Sequence, residues 1–269
     1  MNLKHADLVS VIIPTLNEEA NLEICLRSIK NQIYKNLEII VIDNFSKDKT
    51  IEIATKYTEL IFQKGNERSA QRNFGAQKAT GYWLLFVDSD QEISKNLVKD
   101  AVRTTNKHKL DAIVIPETVK GETFWAKCLA LEKSLYQDQS HLWAARFFKK
   151  SSFLKLGGFD ENLIAGEDWD LHQRTIKTGF KVGKINSKIY NLEGDTSLAK
   201  ILKKKFYYAK HIKKYAQKHP QVFINQANLI GRLFSFSNFS TMIKDPIHAA
   251  GLIFLKTTQA AVGIIGLIF

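Results

Sequence analysis

The amino-acid sequence predicts an α/β fold, with a mostly parallel sheet flanked by helices and a helical tail at the C-terminal end. Short β-branched apolar runs alternate with helical patterns through the first half of the chain. These runs are apolar along their whole length, as expected of strands with helices on both faces. The charge distribution separates the tail: residues 196–269 hold 11 Lys and Arg but one Asp, whereas residues 1–195 hold 28 basic and 26 acidic residues.

We therefore predict a folded domain at residues 1–195, large enough to hold an active site, and a basic and apolar helical tail at residues 196–269. Five strands are expected in the first half, at Val9–Pro14, Leu37–Ile42, Leu60–Phe62, Tyr82–Val87 and Ala112–Pro116. The helices between them are expected after a cap at Thr15 or Asn17, from Ser46 or Asp48 to about Tyr57, at Ser69–Ala79 and at Ser94–His108. The second half predicts a strand at Ala144–Phe148 and helices at Phe124–Tyr136, Ser151–Leu156, Glu167–Thr178 and Ser197–His219.

Composition excludes several classes of protein. A chain of 269 residues with 45% hydrophobic and 25% charged residues is not disordered, collagen-like or a coiled coil. Cys25 and Cys128 form neither a disulfide framework nor a zinc-binding spacing. The N-terminal apolar run ends at Pro14 and lacks the form of a secretory signal, so we expect a cytoplasmic body.

Polar residues follow three of the predicted strands, at Thr15–Glu18, at Asp43 and at Asp88–Asp90. Ligands of parallel sheets bind at the carboxyl ends of the strands, so these residues form the candidate site. Asp88 and Asp90 are two positions apart and point the same way if strand geometry persists. Two such carboxylates suit a hard divalent cation that also binds substrate phosphates, although a polar loop explains the pattern equally simply.

Other candidate residues also have a structural alternative. Asp43 suits hydrogen bonds to a base or a ribose, or it caps a helix. Arg68 and Arg72 share one face of a predicted helix, where they contact phosphates or form a solvated surface. Glu167 and Asp168 begin a helix, where acids are favoured by the helix dipole but also suit a general base.

Five segments in order resemble glycosyltransferase family 2, the nucleotide-sugar enzymes of the GT-A fold. They are VSVIIPTLNEEANLEICLRSI, LEIIVIDNFSKDKT, ERSAQRNFGAQKATGYWLLFVDSD, LGGFDE and AGEDWDLHQR, which together span residues 9–174. The resemblance implies a Rossmann-like mostly parallel sheet and an inverting transfer from a nucleotide sugar. It also implies a divalent cation, Mg²⁺ or Mn²⁺, as cofactor.

The resemblance assigns roles to individual residues. The first nucleotide-contacting loop matches Pro14, Thr15, Asn17 and Glu18, and the carboxylate that reads the base, commonly uracil, matches Asp43. The polar pair before the metal motif matches Arg72 and Asn73, and the metal motif matches Asp88 and Asp90, with Asp90 as the direct ligand. The catalytic base matches Asp168, with Glu167 as the near alternative, and a loop on the acceptor side matches Gly157–Glu161.

The C-terminal region predicts a membrane-associating tail. Lys200–Lys218 contains eight lysines with an apolar stripe, which is typical of a helix on an anionic membrane surface. Leu229–Phe239 is aromatic and interfacial in character, and Ile247–Phe269 is long enough to span a bilayer of about 30 Å. Lys256 near its middle costs about 2.5–3.5 kcal/mol on insertion scales, which favours shallow or re-entrant insertion or packing on another membrane chain.

These observations predict an enzyme at the cytoplasmic face of the cell membrane, peripheral or inserted through its C-terminal segment. A lipid-linked sugar or a cell-surface glycan is the expected acceptor. Packing of the basic helix on the body and burial of the apolar helix in a soluble core are the structural alternatives. A nucleic-acid-binding protein is not favoured, because the basic region is rich in aliphatic residues and lacks a recognition motif.

Two related functions remain as alternatives. A nucleotidyltransferase shares the sheet and the carboxylates, but the loop Thr15–Ala20 lacks the glycines of a phosphate-binding loop. A non-catalytic nucleotide-sugar-binding scaffold would retain the fold without turnover. Retention of Asp43, Asp88, Asp90 and Asp168 together disfavours that scaffold.

Overall fold

A computed structural model of the chain describes residues 8–233 and 236–268. The strands are β1 (Val9–Thr15), β2 (Leu37–Asp43), β3 (Ile61–Gln63), β4 (Trp83–Phe86), β5 (Gln91–Ile93), β6 (Ala112–Val114), β7 (Glu117–Lys120), β8 (Ala145–Lys149), β9 (Val182–Lys184) and β10 (Ile189–Leu192). The first seven helices are α1 (Leu22–Lys30), α2 (Thr50–Thr55), α3 (Arg68–Lys78), α4 (Leu97–His108), α5 (Phe124–Tyr136), α6 (Lys150–Lys155) and α7 (Glu167–Lys177). The last six are α8 (Leu198–His211), α9 (Lys213–Lys218), α10 (Pro220–Ala227), α11 (Leu229–Leu233), α12 (Phe236–Lys244) and α13 (Pro246–Ile268).

The chain divides into two compact units. The first unit holds the chain up to Pro116, Ala144–Asn162 and Glu167–Tyr190. The second unit holds Glu117–Trp143, Leu163–Gly166 and the chain from Asn191. The expected domain boundary between residues 195 and 196 stays a prediction.

A seven-stranded sheet with the order β3-β2-β1-β4-β8-β6-β9 organises the first unit. Strand β8 runs antiparallel to both of its neighbours, β4 and β6. The other pairs in this sheet are parallel. The predicted α/β architecture with a mostly parallel sheet is therefore confirmed, and a single strand of opposite direction interrupts it.

Helices cover both faces of β1, as the apolar composition of the strand predicts. On one face, Val11 and Ile13 share a buried cluster with residues of α1 and α4. On the other face, Ile12 meets α3, where a Cβ added at Gly75 would lie 2.5 Å from the Ile12 side chain. This close approach requires glycine at position 75 and brings α3 directly over the centre of the sheet.

The helix starts predicted at Thr15 or Asn17 and at Ser46 are wrong, because these side chains bind neighbouring loops instead. The alternative start at Asp48 lies two residues before the helix, and its Oδ1 accepts a hydrogen bond from the Thr50 amide over 3.0 Å. Helix α1 begins at Leu22, and Asn17 has a positive φ of 53° while its Oδ1 accepts a hydrogen bond from the Lys47 amide. Helix α2 begins at Thr50, and the Ser46 amide donates to Asp43. Loop-to-loop bonds of this kind leave no trace in the periodicity of either helix.

Two further elements differ from the prediction. The helix expected from Ser94 begins at Leu97, and the short strand β5 precedes it. The single helix expected at Ser197–His219 divides at Ile212 into α8 and α9. Tyr215 of α9 is completely buried and its hydroxyl donates to Gln226, a long-range contact that the local pattern of lysines and apolar residues does not encode.

The C-terminal apolar segment forms one helix, α13, of 23 residues. The interfacial segment predicted at Leu229–Phe239 falls on α11 and α12, and residues 234 and 235 within it lie outside the described residues. Phe269, the last residue of the predicted apolar run, also lies outside them. Helix α13 is long and apolar enough to cross a membrane by length and composition.

Candidate active site

The carboxyl edge of the sheet places the predicted nucleotide-contacting residues side by side. Thr15 ends β1 opposite Asp43, which ends β2, and the Thr15 hydroxyl donates to Asp43 Oδ1 over 3.1 Å. Both oxygens of buried Asp43 also accept from Ser46, through its amide and its hydroxyl. Asp43 thus accepts three of the roughly four hydrogen bonds that a carboxylate takes, and it holds the loop after β2 in place.

The loops after β1 and β2 bind each other through a second set of hydrogen bonds. The Asn17 amide donates to the Ser46 hydroxyl over 2.9 Å, and the Glu18 amide donates to Thr50 Oγ1 over 2.8 Å. Pro14 lies in the buried end of β1, whereas Asn17 is exposed. The sheet edge therefore presents a cross-linked pair of loops rather than two independent ones.

Asp88, which follows β4, binds two arginines from distant parts of the chain. Arg72 of α3 donates to Asp88 Oδ1 over 2.5 Å, and Arg146 of β8 donates to Oδ2 over 3.4 Å. Arg72 is completely buried, and its guanidinium carbon lies 5.1 Å from the centre of the Phe159 ring. A buried arginine needs such partners, because an unpaired charge away from water is costly.

The same two arginines bind the acidic residues at the start of α7. Arg72 Nη1 lies 3.4 Å from Asp168 Oδ1 and 3.2 Å from Glu167 Oε1. Arg146 Nη2 lies 3.2 Å from Asp168 Oδ2. Two guanidinium groups thereby connect the residue of the predicted metal motif with the predicted catalytic base, which we call the arginine bridge (Arg72 and Arg146, between Asp88 and Asp168).

Electrostatics differ among these acids. Burial alone would raise the pKa of Asp88, but the charges of Arg72 and Arg146 outweigh it and hold that pKa well below its usual range. Burial and the neighbouring Asp168 raise the pKa of Glu167, against the opposing charges of Arg72 and Arg68. Asp88 therefore stays ionised, whereas Glu167 retains its proton more readily than an ordinary glutamate.

Asp90 is half-buried and lies near other carboxylates at the same edge. Burial raises the pKa of the Cys25 thiol, and the negative charges of Asp90, Asp88 and Glu18 raise it further. In the described part of the chain, no cluster of three His, Cys, Asp or Glu side chains would hold a metal. Mg²⁺ and Mn²⁺ take one or two protein carboxylates and fill the remaining positions with phosphates and water, which Asp90 and Asp88 fit.

Asn73 orders the loop that the sequence places on the acceptor side. Its Nδ2 donates to the Phe159 carbonyl and to Glu161, and its Oδ1 accepts from the Phe159 amide, each over 2.9 Å. Gly158 has a φ of +73°, and a Cβ there would lie 2.4 Å from Asn73 Oδ1. Asn73 therefore binds this loop, whereas its sequence neighbour Arg72 binds Asp88, Glu167 and Asp168.

Arg146 belongs to this site and was not among the residues predicted from the sequence. It stands in the apolar segment Ala145–Lys149, with a side chain that is 8% exposed. A single arginine inside a buried strand needs an acidic partner, and that signal was available in the sequence. The sequence did not show which acids are the partners, because Asp88 and Asp168 lie 58 and 22 positions away along the chain.

Curated proteins resemble this chain over about two-thirds of its length. "Glycosyltransferase GlyA" of Streptococcus pneumoniae is 28% identical over 216 residues, which cover 68% of this chain but 30% of GlyA. "Poly(ribitol-phosphate) beta-N-acetylglucosaminyltransferase TarS" of Staphylococcus aureus is 25% identical over 201 residues, which cover 67% of this chain and 34% of TarS. The matched part therefore spans about a third of each relative.

Solved structures show the same fold. A mannosyltransferase from Pyrobaculum calidifontis, in complex with GDP-Man and Mn²⁺, covers 97% of this chain with a TM-score of 0.65 and 17% identity. S. aureus TarS 1-349, in complex with UDP-GlcNAc, covers 97% of it with a TM-score of 0.56 and 17% identity. These likenesses confirm the GT-A-like α/β fold that the sequence resemblance implied.

The sequence itself matches one family directly. A sequence model described as "Glycosyl transferase family 2" matches residues 10–154, which is more than half of the chain. The match covers β2, β4, the Asp88–Asp90 motif and nearly all of β1. The resemblance of the segment AGEDWDLHQR extends into α7. This chain therefore belongs to glycosyltransferase family 2.

Proposed function

We propose that the chain is a metal-dependent, inverting glycosyltransferase that moves a sugar from a nucleotide-sugar donor, a UDP-sugar, to a hydroxyl of a lipid-linked or cell-surface glycan acceptor. The observation that carries this proposal is the arginine bridge. It brings Asp88, on the donor side, within hydrogen-bond reach of the same guanidinium groups as Asp168. A donor site and a general base held in one network are what a single displacement needs.

Asp168 takes the proton of the acceptor hydroxyl as that oxygen bonds to the anomeric carbon. The bond from this carbon to the diphosphate oxygen breaks, and the nucleoside diphosphate leaves with the electron pair. Attack from the opposite face inverts the anomeric centre. Glu167 is the less suitable base, because it is more deeply buried than Asp168, with 7% against 21% of its side chain exposed.

The donor contacts follow from the sheet edge. The loop Thr15–Glu18 and Asp43 bind the nucleoside, and a Mg²⁺ or Mn²⁺ ion held by Asp90, with Asp88 beside it, would offset the charge of the diphosphate. Arg72 and Arg146 orient both carboxylates while the donor binds. Asn73 holds the loop at Phe159–Glu161 ready for the acceptor.

The preference for UDP rests on Asp43 and on the relatives. TarS 1-349 has been solved with UDP-GlcNAc, whereas the P. calidifontis mannosyltransferase was solved with GDP-Man. The donor assay distinguishes a UDP-sugar from a GDP-sugar as the donor of this chain. The membrane part of the proposal, an anionic membrane surface at the cytoplasmic face, rests on the basic and apolar C-terminal region.

The test is donor turnover by the purified chain across a panel of nucleotide sugars, with Mn²⁺ or Mg²⁺ and with a chelator. Membrane extract supplies acceptors. We expect metal-dependent release of one nucleoside diphosphate, abolished in Asp90→Ala and Asp168→Asn. Asp195→Asn is the matched control, because that carboxylate is 88% exposed and pairs with Lys200 on the surface.

Each outcome is decisive. Turnover that survives Asp168→Asn would overturn the assignment of the base. Donor binding without turnover in any acceptor fraction would favour the non-catalytic scaffold. Failure of every nucleotide sugar to bind would overturn the proposed function altogether.

A further inference from the structure

Helix α13 has two faces of opposite character. Its buried residues fall on one side of the helix and pack on α5 and α8 of the same unit. Six exposed large apolar residues fall on the other side, and they are Ile247, Ile253, Phe254, Ile264, Ile265 and Ile268. At about 1.5 Å per residue, this apolar face runs for roughly 34 Å.

The packed face is built for close contact. A Cβ added at Gly251 would lie 2.4 Å from the Phe124 ring of α5, and one at Gly266 would lie 2.8 Å from Ala209 of α8. Between these glycines, buried Lys256 forms an ion pair with Glu132 of α5. The central lysine that disfavoured membrane insertion in the sequence thus has its partner inside the same unit.

The exposed face has far fewer contacts in the described part of its unit, where the Phe254 ring centre lies 6.3 Å from that of Trp125. Only 22% of the most apolar 18 residues of α13 are buried, which is too little for the core helix of a soluble protein. Phe239 and Ile243 of α12, just before α13, are about 60% exposed as well. Exposed Thr257 lies within this face, between Phe254 and Ile264. Soluble monomers rarely expose so many large apolar side chains together, so we expect another surface to cover them.

A transmembrane position for α13 conflicts with its packing. Helix α8 lies against α13, and its Lys203, Lys204 and Lys210 are exposed. If α13 crossed the bilayer with α8 attached, these lysines would enter the hydrocarbon at about 2.5–3.5 kcal/mol each on insertion scales. If α13 instead left α5 and α8 to cross the bilayer alone, Lys256 would enter the hydrocarbon without Glu132 of α5. Neither cost arises when α13 lies parallel to the membrane plane.

The positive charge of the C-terminal region indicates which kind of surface covers the apolar face of α13. Residues 196–269 hold 11 Lys and Arg against Asp245 alone. Each basic residue close to an anionic leaflet contributes about 1 kcal/mol, whereas it contributes little at a neutral one. An apolar face accompanied by exposed lysines is the arrangement of helices that lie within the headgroup region.

We propose that α13 is an in-plane membrane anchor: its exposed apolar face lies in the headgroup and upper acyl region of an anionic leaflet, while its packed face stays on α5 and α8. This inference rests on the membrane association in the proposed function and specifies its geometry. The partner is an anionic lipid surface. A second copy of the chain on the same face is the competing occupant that the experiment must exclude.

The first experiment measures binding of the full chain to phosphatidylcholine vesicles with and without phosphatidylglycerol. We expect binding to the anionic vesicles that weakens at about 1 M salt, where the Debye length falls to about 3 Å. The triple variant Ile247→Ser, Phe254→Ser, Ile264→Ser should lose at least about tenfold in partition coefficient, because it removes apolar area from the face. These side chains are exposed, so the fold is retained.

A matched control variant replaces three exposed apolar side chains of the first unit by serine. The triple variant Ile24→Ser, Ile33→Ser, Ile176→Ser changes residues that are 44%, 46% and 51% exposed, and it should bind vesicles as the unchanged chain does. Equal loss in both triples would overturn the assignment of the face. A stable dimer in solution that the first triple dissociates would also overturn it, in favour of a second copy.

The second experiment distinguishes an in-plane helix from a spanning one. Single cysteines at Ile247, Phe254 and Ile265 carry a fluorophore, and lipid nitroxides placed near the headgroup or at the acyl-chain end quench it. Cys25 and Cys128 are buried, so labelling is selective. An in-plane helix gives the same shallow depth at all three positions, whereas a span places Phe254 deeper than the ends.

The two experiments separate the two proposals. Binding with a depth profile that peaks at Phe254 would overturn the in-plane anchor and leave membrane association standing. Absence of binding to any vesicle, with donor turnover intact, would overturn both membrane proposals and leave the transferase activity untouched. Loss of turnover in the Asp168→Asn variant is independent of either result.

Discussion

Arg146 is a charged residue in a buried strand, where it needs acidic partners. It is 8% exposed and contacts Asp88 and Asp168 through different nitrogens. Removing one partner of a buried ion pair costs far more than the pair contributes as a whole, because a charge remains buried without compensation. The geometry of the site therefore depends on this residue through the two carboxylates that it binds.

We expect Arg146→Ala to lower the free energy of unfolding by about 3–5 kcal/mol, since it leaves two carboxylates short of a cation. Denaturant titration measures the change. Arg103→Ala, an exposed arginine of α4, should change it by no more than about 0.5 kcal/mol. Arg146→Lys should recover part of the loss, and equal stabilities of the two alanine variants would contradict this role.

The acid dependence of stability follows from Asp88. Its pKa is lowered in the folded chain from an ordinary value of 3.8, because Arg72 and Arg146 outweigh burial. A lowered pKa contributes stability that is complete above the ordinary value and is lost as pH falls through the folded one. The difference in unfolding free energy between the unchanged chain and Asp88→Asn should therefore be constant from about pH 5 upward and should shrink below about pH 4. A difference that changes near neutrality would show that another group titrates.

At the scale of elements, loops carry most of the site and the sheet aligns them. The parallel register sets Thr15 beside Asp43, and hydrogen bonds between the loops then complete the edge. The loop after α6 depends on Asn73 in the same way. The conformation of each loop therefore depends on the hydrogen bonds that it forms with its partner.

The two consecutive glycines after α6 provide a test of that dependence. Gly157 and Gly158 have φ values of +78° and +73°, so alanine is strained by about 1–3 kcal/mol at either position. A Cβ at Gly157 meets nothing within 4 Å, whereas one at Gly158 meets Asn73 Oδ1 at 2.4 Å. Gly158→Ala should therefore destabilise the chain more than Gly157→Ala in thermal or denaturant unfolding. Restoration of Gly158→Ala by Asn73→Ala would identify the contact as the cause, and equal destabilisation in both glycine variants would contradict it.

At the scale of the whole molecule, the two units carry different surfaces. The first unit holds the carboxylates and arginines of the candidate active site, and its residues belong to a nearly neutral part of the chain. The second unit holds the basic helices and the exposed apolar face of α13. Donor chemistry and membrane contact are thus assigned to separate parts of the chain.

Hydrogen exchange should report this separation. UDP with Mn²⁺ should slow exchange in the loops at Thr15–Glu18, Asp43–Ser46 and Asp88–Asp90, by up to about a hundredfold when UDP stands at about 100 times its Kd. Anionic vesicles should instead slow exchange in α12 and α13. Protection of α13 by UDP alone, or of the Asp88 loop by vesicles alone, would contradict the assignment of the two surfaces to different units.

The sequence by itself predicted most elements of the first half of the chain, the apolar C-terminal helix and most of the candidate residues, but it missed β5, β7, β9, β10 and α10. Strands β1, β2 and β4, with the polar residues that end them, and the apolar helix α13 were all predicted close to their observed bounds. They are visible because strand and helix patterns are local: an apolar run or a 3.6-residue period is complete within about ten residues. The resemblance of the ordered motifs then named the family, which the match over residues 10–154 shows.

Only the tertiary structure decided which charges meet. Arg72 reaches Asp168 across 96 positions and Arg146 reaches Asp88 across 58, and no local pattern carries information over such distances. The same is true of Lys256, an unfavourable charge in an apolar helix until α5 supplies Glu132. A buried charge must find a partner, so its presence is readable from the sequence, but the identity of that partner is set by how the whole chain packs.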